Sequence, residues 1–507
     1  MTAVRPRTKL IVPLTQTTVP AMRVAMHAAD QAGADMVECR LDHLDSPSPA
    51  DLAELLTDTP LPAIVTLRPV RQGGRYEGDE PRRLALLAAA AEAGGDYVDV
   101  EDDVPAADRP AGKIVLSHHD FARRPADLDA VLQRIDDPAA AVPKVAFASA
   151  GPEDAVAALD ALRRLSRPGI ALAMGEPGVM SRLLAGKFGA FGTFAALEAG
   201  AESAPGQPTI ADFRDLYRWD AIGPDTAVYG VIGCPLAHSM SPAVHNRAFE
   251  TAGVDAVYVP LRVEPGAEHF NRFLDAVRGA DWLGVRGLSV TIPHKENALA
   301  RADEVDELSR RIGAVNTLQV RPDGSLRGWN TDYAGATDAL CEAMGIARDG
   351  LAGRSVAVLG AGGAARAIVA AMAHYGAEVI IYNRTVSRGQ KLAGEFGAAA
   401  RGLDALAAMS AEIVINCTSL GMHPNVEATP VPAEALAGVS VVFDTVYNPL
   451  QTRLLREAAE AGCRTVSGVD MFVNQAAAQF EPWTGKPAPR ELMRQVVLDR
   501  LSRRNQE

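Results

Sequence analysis

The segment Ser355-Val-Ala-Val-Leu-Gly-Ala-Gly-Gly-Ala-Ala-Arg-Ala-Ile constrains this 507-residue chain more than any other. A β-branched apolar run enters a glycine turn and leaves as an alanine-rich helix. Gly360, Gly362 and Ala365 hold the spacing of a dinucleotide fingerprint. The first permits a tight turn, the second lets backbone approach a pyrophosphate, and the small third residue lets helix pack on strand. The helix start, with Ala361, Gly363 and Ala364, then supplies N–H donors and partial positive charge for phosphates. The next apolar run, 378–382, leads into Asn383-Arg384-Thr385, with Arg388 one helical turn on. An acid at that place would bind ribose hydroxyls and repel a 2′-phosphate; guanidinium and hydroxyl groups bind the phosphate. The expected cofactor is NADP(H).

The fingerprint opens near residue 350, so a long segment ahead of it needs its own explanation. The net charge of −13 argues against nucleic acid or an anionic membrane as partner, whereas local arginine clusters can still hold small anions. Five cysteines (39, 234, 341, 417, 463) are scattered without metal-ligand spacing. They read as buried thiols in a reducing compartment, and no metal is expected. The first apolar run, 10–12, is too short for a signal peptide, and no run approaches the ~18 apolar residues of a membrane span. The expected location is cytoplasmic.

Eight short apolar runs (10–12, 36–39, 63–67, 97–100, 114–116, 142–147, 170–173, 190–194) alternate with helical patterns. Repeated β/α units imply a parallel sheet, and eight imply a closed barrel with its site at the C-terminal strand ends. Those ends carry Glu38 and Arg40, Arg68, His119, Lys144, Arg182, and Ser203 with Gln207. Surface arginines are common, and Ser117-His-His119-Asp also reads as a capped turn. Lys144, inside Pro-Lys-Val-Ala-Phe, is hardest to explain structurally. A buried lysine among guanidinium groups is pushed toward the uncharged amine that forms a Schiff base, and His119 is placed to move protons.

These segments, with Glu38-Cys-Arg40-Leu-Asp, Thr66-Leu-Arg68, Pro143-Lys144-Val, Met180-Ser-Arg182 and Ser203-Ala-Pro-Gly-Gln207, resemble the type I 3-dehydroquinate dehydratases over most of residues 8–215. The resemblance implies a (β/α)8 barrel with Lys144 as imine lysine and His119 as general acid/base. It also implies that Glu38 orients His119, and that Arg40, Arg68, Arg182, Ser203 and Gln207 bind substrate. Many relatives carry Glu before the Gly-Gly of the third loop; this chain has Gln72-Gly73-Gly74.

Downstream, Ser239-Met-Ser241-Pro242 reads as a helix start with Ser241 as cap, which also suits a carboxylate. Thr291-Ile-Pro-His-Lys295 reads as a turn with a lysine at its tip; Asn316 and Asp332 follow in further turns. Together with Asn416-Cys-Thr418-Ser419-Leu-Gly, Asp444-Thr-Val-Tyr447 and Gly468-Val-Asp-Met-Phe-Val-Asn-Gln475, they resemble shikimate dehydrogenase from about 228 to 501. The resemblance implies Lys295 and Asp332 as the proton-handling pair, with Lys295 the direct donor. Ser239, Ser241, Thr291, Asn316, Tyr447 and Gln475 become substrate contacts, and Thr418, Ser419 and Gly468 cofactor contacts. Shikimate is favoured over quinate because the pocket hydroxyls are kept. The order of the two halves resembles the plant-type bifunctional fusion, although no plastid-type leader is read ahead of the barrel.

The expected fold is α/β: a barrel at 1–217, a join at 218–226, then a two-domain dehydrogenase. Its parts are a substrate domain at 227–340, a Rossmann NADP domain at 341–470, and C-terminal helices from 471–507 folding back on the substrate domain. The expected partners are small molecules: 3-dehydroquinate, 3-dehydroshikimate and shikimate. Two alternatives stay open on the residues alone, a dehydrogenase with a silent barrel and a sensor of NADP or shikimate without turnover.

Overall fold

The structure, a computed structural model, describes residues 7–504 except 205 and 238. The chain forms two compact units, Met1–Ala237 with Asp255–Val285, and His238–Val254 with Arg286–Glu507.

The first unit opens with eight parallel strands: β1 (Lys9–Leu14), β2 (Met36–Arg40), β3 (Ala63–Thr66), β4 (Tyr97–Glu101), β5 (Ile114–Asp120), β6 (Val142–Ala148), β7 (Ile170–Met174) and β8 (Gly192–Phe194). They lie in the order β7-β6-β5-β4-β3-β2-β1-β8. The two ends of the sheet meet through the Phe191 N–H, which donates to the Gly169 carbonyl at 2.8 Å. The result is the expected α/β barrel. Its strands are buried almost throughout, because one face turns inward and the other lies under helices such as Val19–Gln31 and Pro152–Arg164. Thr18 caps the first of these, and proline occupies the first turn of both.

The two-residue period of a strand explains where the site sits. Met36, Ile64, Val115, Val142 and Ile170 fill the barrel interior as an apolar plug. Two residues further along each strand, the same inward face carries Glu38, Thr66, Ser117, Lys144 and Leu172. Two further again, it carries Arg40, Arg68 and His119. β5 is longer than the sequence suggests. Residues 117–120 stay paired with β6, Ser117 opposite Lys144 and His119 opposite Ala146. His119 is therefore on a strand and not in the capped turn its neighbours suggest, because polar side chains facing a barrel mouth do not interrupt the ladder.

Beyond the barrel, β9 (Ala227–Gly233) and β10 (Ala256–Arg262) pair in parallel. The segment leading into β9 is pinned by Lys187, whose Nζ donates to the Pro224 and Thr226 carbonyls at 2.7 and 2.8 Å.

β11 (Val285–Val290), which belongs to the second unit from residue 286 on, forms a mixed arrangement with β12 (Glu304–Val305), β13 (Thr317–Val320) and β14 (Leu326–Trp329). β13 is antiparallel to both β11 and β14, and β12 lies parallel to β14. A six-stranded parallel sheet follows: β15 (Ser355–Leu359), β16 (Glu378–Tyr382), β17 (Ala399–Arg401), β18 (Ile413–Asn416), β19 (Val441–Asp444) and β20 (Arg464–Val466). Its order, β17-β16-β15-β18-β19-β20, reverses direction between β15 and β18. Open α/β sheets bind ligands at such a switch point. Helix Gly468–Thr484 runs close along Thr331–Met344; a Cβ at Gly335 would stand 2.7 Å from the Gln475 nitrogen and the Met471 carbonyl. Lys486 donates to the Ala252 carbonyl at 2.7 Å, just beyond helix Ser241–Thr251. Among the described residues, no helix is long and apolar enough to cross a membrane.

Candidate active sites

The mouth of the barrel holds about 530 Å³ of open space lined by Glu38, Arg40, Arg68, His119, Lys144, Arg182, Ser203 and Gln207. All eight barrel residues singled out from the sequence thus share one cavity. Lys144 is 3% exposed, and its Nζ lies 2.9 Å from Asp99 and 3.2 Å from Glu38. The lysine does not sit in a purely cationic cup, as the sequence reading had it. Carboxylates on β2 and β4 balance the guanidinium groups, as a buried charge requires. Burial alone would raise the Asp99 carboxyl, but Arg68 and Lys144 outweigh it and hold it well below the usual range. Arg68 also reaches Glu101 at 2.6 Å and Ser117 at 2.9 Å.

Asp99 and Glu101 escaped the sequence reading. The available signal was the alternation Tyr97-Val-Asp-Val-Glu, two acids on one face of a strand that has no solvent side. Glu38 does not orient His119. Its Oε1 accepts from Thr66 at 2.9 Å and from Lys144, because both neighbours project from the inward face at the same level. The group that touches the imidazole is Gln72, at 3.4 Å from Nδ1.

Arg182, on the short helix Val179–Leu183, is 2% exposed, and its Nε has no hydrogen-bond partner among the described residues. Burial pulls its pKa down to about 10. A buried guanidinium with an open donor is built for an anionic ligand. Ser203 and Gln207 are tied together, the amide oxygen accepting from Ser203 N and Oγ at 3.0 and 3.2 Å. Arg40 is held by Asp42 at 2.7 and 2.9 Å.

The second cluster lies in the other unit. Lys295 Nζ is 2.5 Å from Asp332 Oδ2, and Asn316 donates to Asp332 Oδ1 at 2.9 Å. The Asn316 amide oxygen accepts from the Thr331 N–H at 2.8 Å, and Thr331 Oγ1 donates to Gln475 at 3.4 Å. Lys295, Asn316, Asp332 and Gln475 are therefore joined. Lys295 is the first residue of helix Lys295–Arg301 and not a turn tip. The Pro293 turn ahead of it reverses the chain early enough for the helix to begin there. Ser241 is likewise the first helical residue, with Met240 at the cap; Ser239 Oγ accepts from the Ser241 N–H at 3.4 Å and takes over the capping part. No hydrogen bond joins Ser239, Ser241, Thr291 or Tyr447 to the Lys295–Asp332 cluster among the described residues.

At the switch point, Gly360 has φ +106°, and a Cβ there would meet the Thr418 methyl at 3.1 Å and the Cys417 carbonyl at 3.3 Å. Both demands select glycine. Gly362 and Gly363 open onto free space, with Ala361 and Ala364 beside them at the start of helix Gly363–His374. Thr418 donates to Asn416 Oδ1 at 2.7 Å, which shapes the loop carrying Ser419. Gly468 starts its helix so close to the Thr445 carbonyl that a Cβ would lie 2.5 Å from it. At the end of β16, Asn383 donates to the Thr385 carbonyl at 2.8 Å. Arg384 and Arg388 are exposed, with no carboxylate partner among the described residues. Two unneutralised guanidinium groups beside the fingerprint fit a 2′-phosphate, so the residues present suit NADP(H).

A family model for type I 3-dehydroquinase matches residues 10–224. Models for the shikimate dehydrogenase substrate binding domain, shikimate / quinate 5-dehydrogenase and the shikimate 5′-dehydrogenase C-terminal domain match 231–318, 343–431 and 468–498. The chain is 42% identical to a bifunctional 3-dehydroquinate dehydratase/shikimate dehydrogenase, chloroplastic, from Arabidopsis thaliana, over 96% of this chain and 83% of that protein. It is 47% identical to an NADP(+) shikimate dehydrogenase from Methanosarcina acetivorans over 54% of this chain and 98% of that one. A crystal structure of a shikimate dehydrogenase in complex with NADP+ aligns with TM-score 0.50 at 39% identity, covering 55% of this chain and 96% of the other. The expected cytoplasmic location is overturned by the Arabidopsis relative, which is chloroplastic and is matched over 96% of this chain. The features behind that expectation, scattered thiols and no long apolar run, suit a plastid interior equally well.

Proposed function

The chain belongs to the bifunctional 3-dehydroquinate dehydratase/shikimate dehydrogenase family, and from that premise we propose how its residues divide the two reactions. In the barrel, the Lys144 amine adds to the ring ketone of 3-dehydroquinate and expels water, forming a protonated imine. His119 removes the proton from the adjacent ring carbon and returns it to the departing hydroxyl, which leaves as water. Hydrolysis then frees 3-dehydroshikimate and the lysine. Glu38 and Asp99 hold the amine and balance the positive charge of the protonated imine it becomes. Arg182 clamps the substrate carboxylate, while Arg40, Arg68, Ser203 and Gln207 fix the ring. The observation that carries this reading is the buried Lys144 amine sharing a cavity with the open guanidinium of Arg182.

In the second unit, NADPH when bound supplies a hydride to the ring ketone carbon. Lys295 delivers the proton to the ketone oxygen, and Asp332 keeps Lys295 aimed there. Ser239 and Ser241 hold the carboxylate; Thr291, Asn316, Tyr447 and Gln475 read the remaining ring substituents, which favours shikimate over quinate. Asn383, Arg384, Thr385 and Arg388 receive the 2′-phosphate, and the backbone at Ala361, Gly363 and Ala364 the pyrophosphate, with Thr418, Ser419 and Gly468 bounding the nicotinamide end.

The test is to supply 3-dehydroquinate with NADPH. Loss of the cofactor's near-ultraviolet absorbance, in proportion to dehydroquinate consumed, requires both sites on one chain. No loss with dehydroquinate, but loss with 3-dehydroshikimate, would leave only the dehydrogenase. Arg384→Ala is expected to weaken NADPH by about 1.5–3 kcal/mol, the scale of a hydrogen bond to a charged group, and to leave NADH unchanged in the same titration.

A further inference from the structure

Gln72 ends the turn Val70–Gln72 after β3 and is 7% exposed. Its amide oxygen lies 3.0 Å from the backbone nitrogen of His119 and 3.4 Å from His119 Nδ1. A backbone N–H only donates, so the amide atom facing it is oxygen. The other end of the amide gives the same orientation independently. Its Nε2 lies 3.4 Å from Asp102 Oδ1, and a carboxylate only accepts. Asp102 is itself fixed by His118 Nδ1 at 3.0 Å and Arg134 Nε at 2.9 Å. With oxygen held against it, Nδ1 of His119 must carry the proton. A neutral imidazole protonated at Nδ1 has its free lone pair at Nε2.

We propose that Gln72 is a positioning residue that locks His119 in the Nδ1–H tautomer, so that Nε2 is the atom that takes the substrate proton. This rests on the dehydratase reading above. The lock carries no charge, and that distinguishes it from a carboxylate at the same place. Burial, then Arg68 and Lys144, with Arg40 in addition, hold the imidazole well below its usual pKa; Asp99 opposes them. Glu38 is occupied by Lys144 and Thr66, Arg182 lines the same cavity, and Phe121 covers the ring at 6.2 Å. The lowered pKa keeps the base unprotonated down to pH values below about 6.5, the ordinary histidine value. A glutamate at 72 would add a negative charge beside Nδ1, raise the pKa and move the acid limb of the rate upward.

The experiment uses the full chain labelled with ¹⁵N-histidine, the His119 signals being identified by their loss in His119→Asn. The unaltered protein is expected to show a protonated Nδ1 and a bare Nε2, and Gln72→Leu to lose that pattern. Dehydration by Gln72→Leu should fall on the order of 100-fold in kcat, with KM little changed. Gln72→Glu should keep the tautomer and move the acid limb of kcat/KM up by about one pH unit. The His27 and His43 signals in the same spectra, unchanged in both variants, show that the barrel is folded, and unchanged reduction of 3-dehydroshikimate shows the same of the second unit. A proton on Nε2 in the unaltered protein, or a Gln72→Leu variant with unaltered rate and pH profile, would overturn the proposal. A correct tautomer in a chain that dehydrates nothing overturns the dehydratase reading and, with it, the catalytic half of this one, while the tautomer assignment stands by itself.

Discussion

Lys144→Ala is expected to abolish dehydration of 3-dehydroquinate while reduction of 3-dehydroshikimate continues at its normal rate. Among the described residues lining the barrel cavity, Lys144 carries the one amine able to form an imine, and the residues of the reductase lie in the other unit. The same substitution should destabilise the barrel. Glu38 and Asp99 are buried carboxylates that would lose their cation. Breaking a buried pair costs about 3–5 kcal/mol. Arg68 remains 2.8 Å from Asp99, which places the expected loss at the lower end. Chemical denaturation measures it, and Lys144→Met, which fills the volume without the charge, should behave alike. A variant that keeps dehydrating would show that another group does the chemistry.

Lys295→Met is expected to remove the reductase while sparing the dehydratase, with kcat lower by about 10²–10⁴, the usual worth of a positioned acid. Asp332→Asn should act less on kcat and more on KM. The amide keeps volume and retains one oxygen for Asn316, but the charge that aims Lys295 is gone. Asp332 also sits in the first turn of helix Thr331–Met344, where a carboxylate favours the helix by about 0.3–1 kcal/mol, so a small loss of stability accompanies the substitution. Steady-state reduction of 3-dehydroshikimate at several NADPH concentrations separates these effects. Equal loss in both variants would mean that the pair acts as one unit and that the division of roles is incorrect.

The sequence revealed most where chemistry is local. Gly360 and its neighbours announce a phosphate turn because the backbone conformation, the close approach and the helix start are all consecutive in the chain. Lys144 stands out because a charged residue in an otherwise apolar strand has no bland explanation. Partnerships across the barrel were far less visible. Asp99, Glu38 and Lys144 come from three strands, and only the closed sheet sets them at one level. The assignment of His119 to Glu38 failed for that reason: in the barrel Glu38 reaches across to Lys144, and the third loop brings Gln72 to the imidazole. The starts of the helices at Ser241 and Lys295 were displaced because each is set by contacts just ahead of it: Ser239 Oγ accepts from the Ser241 N–H, and the turn closed by the His294 N–H on the Thr291 carbonyl leads straight into Lys295. Location was not legible at all, since no buried contact depends on it.

The most direct measurement is borohydride reduction of the protein with 3-dehydroquinate, followed by peptide mass analysis. Reduction of the imine should leave one stable adduct on the peptide containing Lys144, absent in Lys144→Ala and absent without substrate. No adduct, or an adduct on a different lysine in a chain that still dehydrates, would contradict the assignment of Lys144 as the imine-forming residue.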